Sequence, residues 1–151
     1  EDLRDSEIDF LPTRAEPFSS GWDVRAAPTS RQPIIIEPGK FFKIPLGFRA
    51  LPPKGWWFQL FPRSSSLTKK YMHNLIGIID EHYSLEVLFA GQYCPEPSFQ
   101  PVLNIPFGER IGQIIPVKRV EMQTINISNE EFDDLCRKRK SVRTGGFGST
   151  S

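Results

Sequence analysis

The sequence is poor in the residues that build cross-links and zinc sites. Two cysteines in 151 residues, Cys94 and Cys136, do not make a disulfide framework, which points to a reducing intracellular compartment. The two histidines, His73 and His82, form no cluster with them and read as surface or loop residues, which argues against zinc. An excess charge of one sign is also missing. Nineteen Lys and Arg against eighteen Asp and Glu leave a net charge of +1, so no global basic field invites a nucleic-acid polymer and no nucleic-acid partner is expected. The one basic run, Arg137-Lys138-Arg139-Lys140, reads as a solvated helix end. No apolar run approaches the ~20 residues of a membrane span, and the acidic N-terminus is not that of a signal peptide. No membrane partner is expected either.

What the chain does have is fourteen prolines, twelve phenylalanines and short β-branched runs broken by Pro/Gly turns. That pattern predicts an all-β domain. Strands are expected at Ile34–Ile36, Phe41–Leu51, Trp56–Phe61, Leu75–Ile79, Glu86–Phe89, Pro101–Ile105 and Gln113–Val117. Turns fall at Pro38-Gly39, Pro52-Pro53-Lys54-Gly55 and Phe107-Gly108. The spacing suits a jelly roll or a distorted barrel whose edges are closed by itself or by partner subunits. A chain of this length buries about 70% of its unfolded surface in one core. One short helix is predicted, beginning at the capping-box pattern Ser128-Asn129-Glu130-Glu131, with Phe132 and Leu135 as its apolar face. The organisation read from this is an irregular lead-in over 1–19, a β domain over 20–142, and a flexible Gly-rich lid over 143–151.

Two segments carry most of the chemistry. Pro62-Arg63-Ser64-Ser65 can hold a phosphate, because a guanidinium fork fits phosphate oxygens and small hydroxyl residues permit close backbone N–H contact. Gly77-Ile78-Ile79-Asp80-Glu81-His82-Tyr83 puts a carboxylate at the end of an aliphatic strand with an aromatic ring three residues on. Together they suggest a nucleotide whose phosphate chain is attacked by water. Three further segments accompany them: Ser20-Gly21-Trp22-Asp23-Val24, Gly108-Glu109-Arg110-Ile111-Gly112-Gln113-Ile114-Ile115, and the tail from Gly145 to Ser151. Each is weak alone.

The five segments, in this order and at these separations, resemble the trimeric dUTP pyrophosphatase (dUTPase) family from about Ser20 onward. The resemblance implies a jelly-roll-like, distorted β-barrel subunit in a homotrimer with active sites at subunit interfaces, converting dUTP to dUMP and pyrophosphate with Mg²⁺. Asp80 would be the general base that orients and deprotonates the attacking water. The Tyr83 ring would pack on deoxyribose and leave no room for a 2′-hydroxyl. Asn74, six residues before Asp80, would donate to O4 and accept from N3–H of uracil, while backbone groups of Gly77, Ile78 and Ile79 complete base recognition. Arg63, Ser64 and Ser65 would cradle the phosphates with Gln113. Glu109 and Arg110 would form a structural surface pair near a subunit contact. Asp23 would approach the metal through water, since Mg²⁺ keeps several waters and is held largely by substrate phosphates. In the tail, Phe147 would stack on uracil, Gly148 would let the backbone approach, and Ser149, Thr150 and Arg143 would reach the γ-phosphate. The closed tail would exclude water other than the attacking one.

The match departs from the family pattern in places. Leu85 stands where the family has glycine, Arg143 lies four rather than five residues before Phe147, and Ser64-Ser65-Ser66-Leu67 has an extra serine. Two other readings stay open. One is a binding or regulatory protein on the same fold with impaired catalysis. The other is a dCTP deaminase, whose chemistry needs a second carboxylate further along the strand that begins at Glu86.

Overall fold

The computed structural model describes residues 10–98 and 101–139. The chain divides between Arg119 and Val120 into two compact units. Among the described residues, the N-terminal unit holds nine strands and one short helix. In chain order these are β1 (Trp22–Arg25), β2 (Ile34–Ile36), β3 (Phe41–Arg49), β4 (Trp56–Pro62), α1 (Ser64–Thr68), β5 (Met72–Asn74), β6 (Gly77–Ile79), β7 (Glu86–Tyr93), β8 (Leu103–Ile105) and β9 (Arg110–Lys118). The C-terminal unit contributes α2 (Asn129–Lys138).

The strands form three antiparallel sheets, ordered β1-β9-β4-β6, β2-β8 and β3-β7-β5. Strand β3 shows how the sequence builds them. Phe42, Ile44, Leu46 and Phe48 are buried at every second position, the period of a pleated strand with one face on a core. At Gly47 that rhythm meets a register shift between Pro45 and Arg49. Its φ is +76°, and a Cβ there would lie 2.8 Å from that of Ala27. Only glycine satisfies both conditions cheaply. The inward faces of the sheets meet in one core that includes Val24, Ile44, Leu60, Phe89, Ile105 and Ile111, with the Phe42 and Phe89 rings stacked at 6.3 Å.

The all-β prediction holds, and several of its details change. The three sheets are not closed into a barrel, and the described residues contain two helices rather than one. Helix α1 occupies Ser64–Thr68, where no helix is expected. Of the expected Leu75–Ile79 strand only Gly77–Ile79 is strand; Leu75-Ile76 is the crossover from β5 on one sheet to β6 on another. Asn74 pairs with Gly91 of β7, whereas Gly77 pairs with Leu60 of β4. Strand β1 was not anticipated; it lies on the sheet edge against β9. The predicted helix start is correct: the Ser128 side chain accepts from the Glu131 N–H, and the Glu131 carboxylate accepts from the Ser128 N–H.

Candidate active site

Three of the chemistry-bearing segments converge at one end of the four-stranded sheet. Strand register places Asp23 of β1 opposite Gln113 of β9, and Gln113 opposite Phe61 of β4. Arg63 follows the end of β4 as the residue before α1, in extended backbone. Its Nε lies 3.7 Å from Asp23 Oδ1, while Arg110 Nη1 donates to Asp23 Oδ2 at 3.2 Å. Asp23 is thus a mostly buried carboxylate, with its side chain 13% exposed, between two guanidinium groups. The carboxylate fixes both arginines as a pair of cations at the sheet end. Gly21 makes room for this arrangement. A Cβ there would stand 2.4 Å from Gln113 Oε1, so any larger residue displaces the amide.

Helix α1 is pinned from below. Ser66, the extra serine, is buried, and its hydroxyl donates to the Ile111 carbonyl at 2.9 Å. Ser64 is exposed and Ser65 half-buried. Glu109 and Arg110 do not act as a pair: Arg110 binds Asp23, and Glu109 binds Lys70. The missed signal is the strand β1 itself. Without its register against β9, nothing in the sequence connects Asp23 with Arg110.

The second group lies elsewhere on the same sheet. Ile79 pairs with Phe58, so Asp80 emerges beside the start of β4, whereas Arg63 follows its end. Six residues of strand at about 3.3 Å each put the two roughly 20 Å apart. Asp80 is exposed. Its carbonyl accepts from the Tyr83 N–H at 3.0 Å, closing a turn. The Tyr83 ring packs against the core and its hydroxyl donates to the Glu86 carbonyl at 3.0 Å. Glu81 faces inward: Oε2 accepts from Gly55 N–H at 3.0 Å and from Arg119 Nη1 at 2.9 Å. The Gly55 hydrogen bond, with the charges of Arg119 and His82 beside it, holds the Glu81 carboxyl below the ordinary glutamate value against a smaller opposing effect of burial.

Asn74 carries an unusual imbalance. Its Nδ2 donates to the Met72 carbonyl at 3.0 Å, while its Oδ1 is buried with no hydrogen-bond partner. Exchanging the two amide atoms would set an oxygen against the Met72 oxygen, so the stated orientation is the chemically sensible one. A buried acceptor without a donor costs about 1–3 kcal/mol, which an incoming N–H would recover. Asn74 lines a cavity of about 870 Å³ together with Leu75, Gly91, Phe42, Pro62 and Leu67.

Other expected residues divide as follows. Gly77 packs against Leu60, Ile78 is exposed and Ile79 is buried on the β4 ladder. Leu85, which stands in place of the family glycine, is 67% exposed. Glu86 is engaged structurally, its Oε1 accepting from the Gly47 N–H at 2.9 Å. Arg143, Phe147, Gly148, Ser149 and Thr150 lie outside the described residues. Among the described residues no group of three or more His, Cys, Asp or Glu side chains could hold a metal ion. A protein cage for Mg²⁺ does not fit here, since both Asp23 oxygens face arginines.

No protein-family model matches the chain. Over 146 residues the chain is 35% identical to the deoxyuridine 5′-triphosphate nucleotidohydrolase of Hahella chejuensis, spanning 93% of this chain and 86% of that protein. A mutant dUTPase of phage 80alpha shares the fold with a TM-score of 0.73 at 21% identity, covering 93% of this chain and 91% of its own. A mutant dUTPase of phage phi11 of S. aureus, described as coordinating a structural Mg(II) ion, aligns with a TM-score of 0.67 at 16% identity. That alignment covers 79% of this chain and 90% of the phage protein.

Proposed function

The chain belongs to the deoxyuridine 5′-triphosphate nucleotidohydrolase (dUTPase) family, and from that premise we propose that it hydrolyses dUTP to dUMP and pyrophosphate with Asp80 as the general base. Asp80 takes a proton from a water whose oxygen bonds to the α-phosphorus. The bond from that phosphorus to the oxygen bridging to the β-phosphate breaks, and pyrophosphate leaves with that oxygen. The Arg63 and Arg110 guanidinium groups, held apart by Asp23, meet the negative charge that develops on the phosphate chain. Gln113 and the Ser64-Ser65 segment complete the cradle. Asp23, acting through water, would be the protein group nearest a Mg²⁺ held by the triphosphate, and that ion would supply charge neutralisation there.

The observation that carries the reading is the buried, partnerless Oδ1 of Asn74. It is an acceptor waiting for a donor, and uracil N3–H is one. Cytosine presents an acceptor at the same position, so dCTP gains nothing there. Glu86 is occupied at Gly47, which weighs against the deaminase reading. The Tyr83 ring excludes ribose by shape.

The roughly 20 Å between Asp80 and Arg63 favours a site assembled from more than one copy of the chain. A water held by the base of one copy then faces phosphates cradled by another, and a homotrimer closes that arrangement cyclically. The tail residues Phe147, Gly148, Ser149, Thr150 and Arg143 act as the lid over uracil and the γ-phosphate.

Pyrophosphate release tests the reading with dUTP, dCTP, dTTP and UTP, each with and without Mg²⁺. Release from dUTP alone, dependent on Mg²⁺, is expected. Ammonia from dCTP would move the protein to the deaminases, and nucleotide binding without any release would make it a binding protein on this fold.

A further inference from the structure

Asp80 stands just past the last rung of its ladder. The β4–β6 pairing runs from Leu60↔Gly77 to Phe58↔Ile79. A carboxylate one residue beyond a strand end samples several rotamers unless its backbone is held from the other side. A misplacement of about 1 Å in such a group costs as much as 10²-fold in rate.

The neighbouring acid supplies that hold. Glu81 Oε2 accepts from the Gly55 N–H and from the Arg119 guanidinium. Gly55 immediately precedes β4, so the carboxylate takes a backbone donor about where further rungs of the ladder would have fallen. Arg119 immediately follows β9, and its own N–H donates to the Gly55 carbonyl at 2.8 Å. The clamp therefore ties the Asp80 turn to the entry of β4 and the exit of β9 together. On the far side the Tyr83 N–H closes the turn onto the Asp80 carbonyl. Of the two adjacent acids, one is 16% exposed and engaged while the other is open to solvent.

We propose that Glu81 is a positioning residue: by gripping the Gly55 N–H and the Arg119 guanidinium it fixes the turn from which Asp80 aims the attacking water. This rests on the reading of Asp80 as the general base. The donors it holds are a backbone amide and a cation, so charge-assisted bonds do the holding. Glutamine keeps an oxygen for the Gly55 N–H but loses the charge, whereas alanine loses both contacts.

Two measurements on the full-length protein decide the matter. In steady-state hydrolysis of dUTP, Glu81→Ala lowers kcat at least about tenfold with KM within about twofold of the parent, the signature of lost transition-state alignment. Glu81→Gln recovers part of that loss, through the oxygen it keeps for the Gly55 N–H. Amide hydrogen exchange, which needs no turnover, shows Gly55 and Tyr83 exchanging at least about tenfold faster in Glu81→Ala and slowing again in Glu81→Gln. A Glu81→Ala protein with parental kcat, or with parental protection of the Tyr83 amide, overturns the proposal. So does a fall in kcat matched by an equal rise in KM and a lowered melting midpoint, which assigns Glu81 to folding alone. A parent that releases no pyrophosphate from dUTP defeats the reading of Asp80 instead, and hydrogen exchange still decides whether Glu81 orders the turn.

Discussion

Asp80 and Glu81 are adjacent carboxylates with different surroundings, and the difference separates their predicted effects. Asp80 is exposed at a strand end, free to bind a water, so Asp80→Asn removes a proton acceptor while preserving shape. The expected result is a drop in kcat of about 10²–10⁴-fold with little change in affinity for a non-hydrolysable dUTP analogue, read by pyrophosphate release and titration calorimetry. Near-normal turnover would remove the general-base role. Glu81 is ionised more readily in the folded protein than in the unfolded chain, chiefly through the Gly55 N–H. A group whose folded pKa is depressed contributes stability that is present above its unfolded pKa and lost as pH falls through the folded one. The urea midpoint of the parent should therefore exceed that of Glu81→Gln at neutral pH. That gap should close as the pH is lowered below the ordinary glutamate range; a gap independent of pH would contradict the assignment.

At the scale of elements, a constraint set by backbone atoms lies where β5 pairs with β7. A Cβ on Gly91 would lie 2.5 Å from the His73 carbonyl oxygen, 2.7 Å from the Phe42 ring and 2.9 Å from the Asn74 Cα. Two of these are backbone atoms that cannot rotate away. Gly91→Ala should cost about 1–3 kcal/mol in denaturant unfolding and raise KM for dUTP by displacing Asn74; an unchanged KM would detach Asn74 from base recognition. In the C-terminal unit, Ser128→Ala should destabilise α2 by about 1 kcal/mol, seen in the amide chemical shifts of 129–138. The sequence made these elements legible unevenly. Period-2 burial in β3 and the capping box at Ser128 are local signals, and both gave the right element. Strand β1 is four residues long, and its partner β9 lies some ninety positions away, so its register and the Asp23–Arg110 contact have no local signature. Leu75–Ile79 reads as one aliphatic strand because periodicity cannot report that Leu75-Ile76 bridges two sheets. Residue type and spacing nominate Asp80, Arg63 and Asn74 as candidates, but they carry no information on the distance between the first two.

For the whole molecule, that distance makes association part of the proposed chemistry. The protein should elute with a mass three times its 17.3 kDa chain, by light scattering, and a fully active monomer would contradict the shared site. Removing residues 144–151 should weaken catalysis more than folding, as expected for a terminal lid; an unfolded truncation would argue that the segment serves the core. The most direct measurement takes two variants, Asp80→Asn and Arg63→Ala, each impaired alone, and refolds them together in equal amounts. If base and cradle come from different copies, random assembly restores intact sites in roughly a quarter of positions, and pyrophosphate release from dUTP rises well above that of either variant. Release no greater than the two variants give separately would place Asp80 and Arg63 in the same copy's site, or outside the reaction altogether.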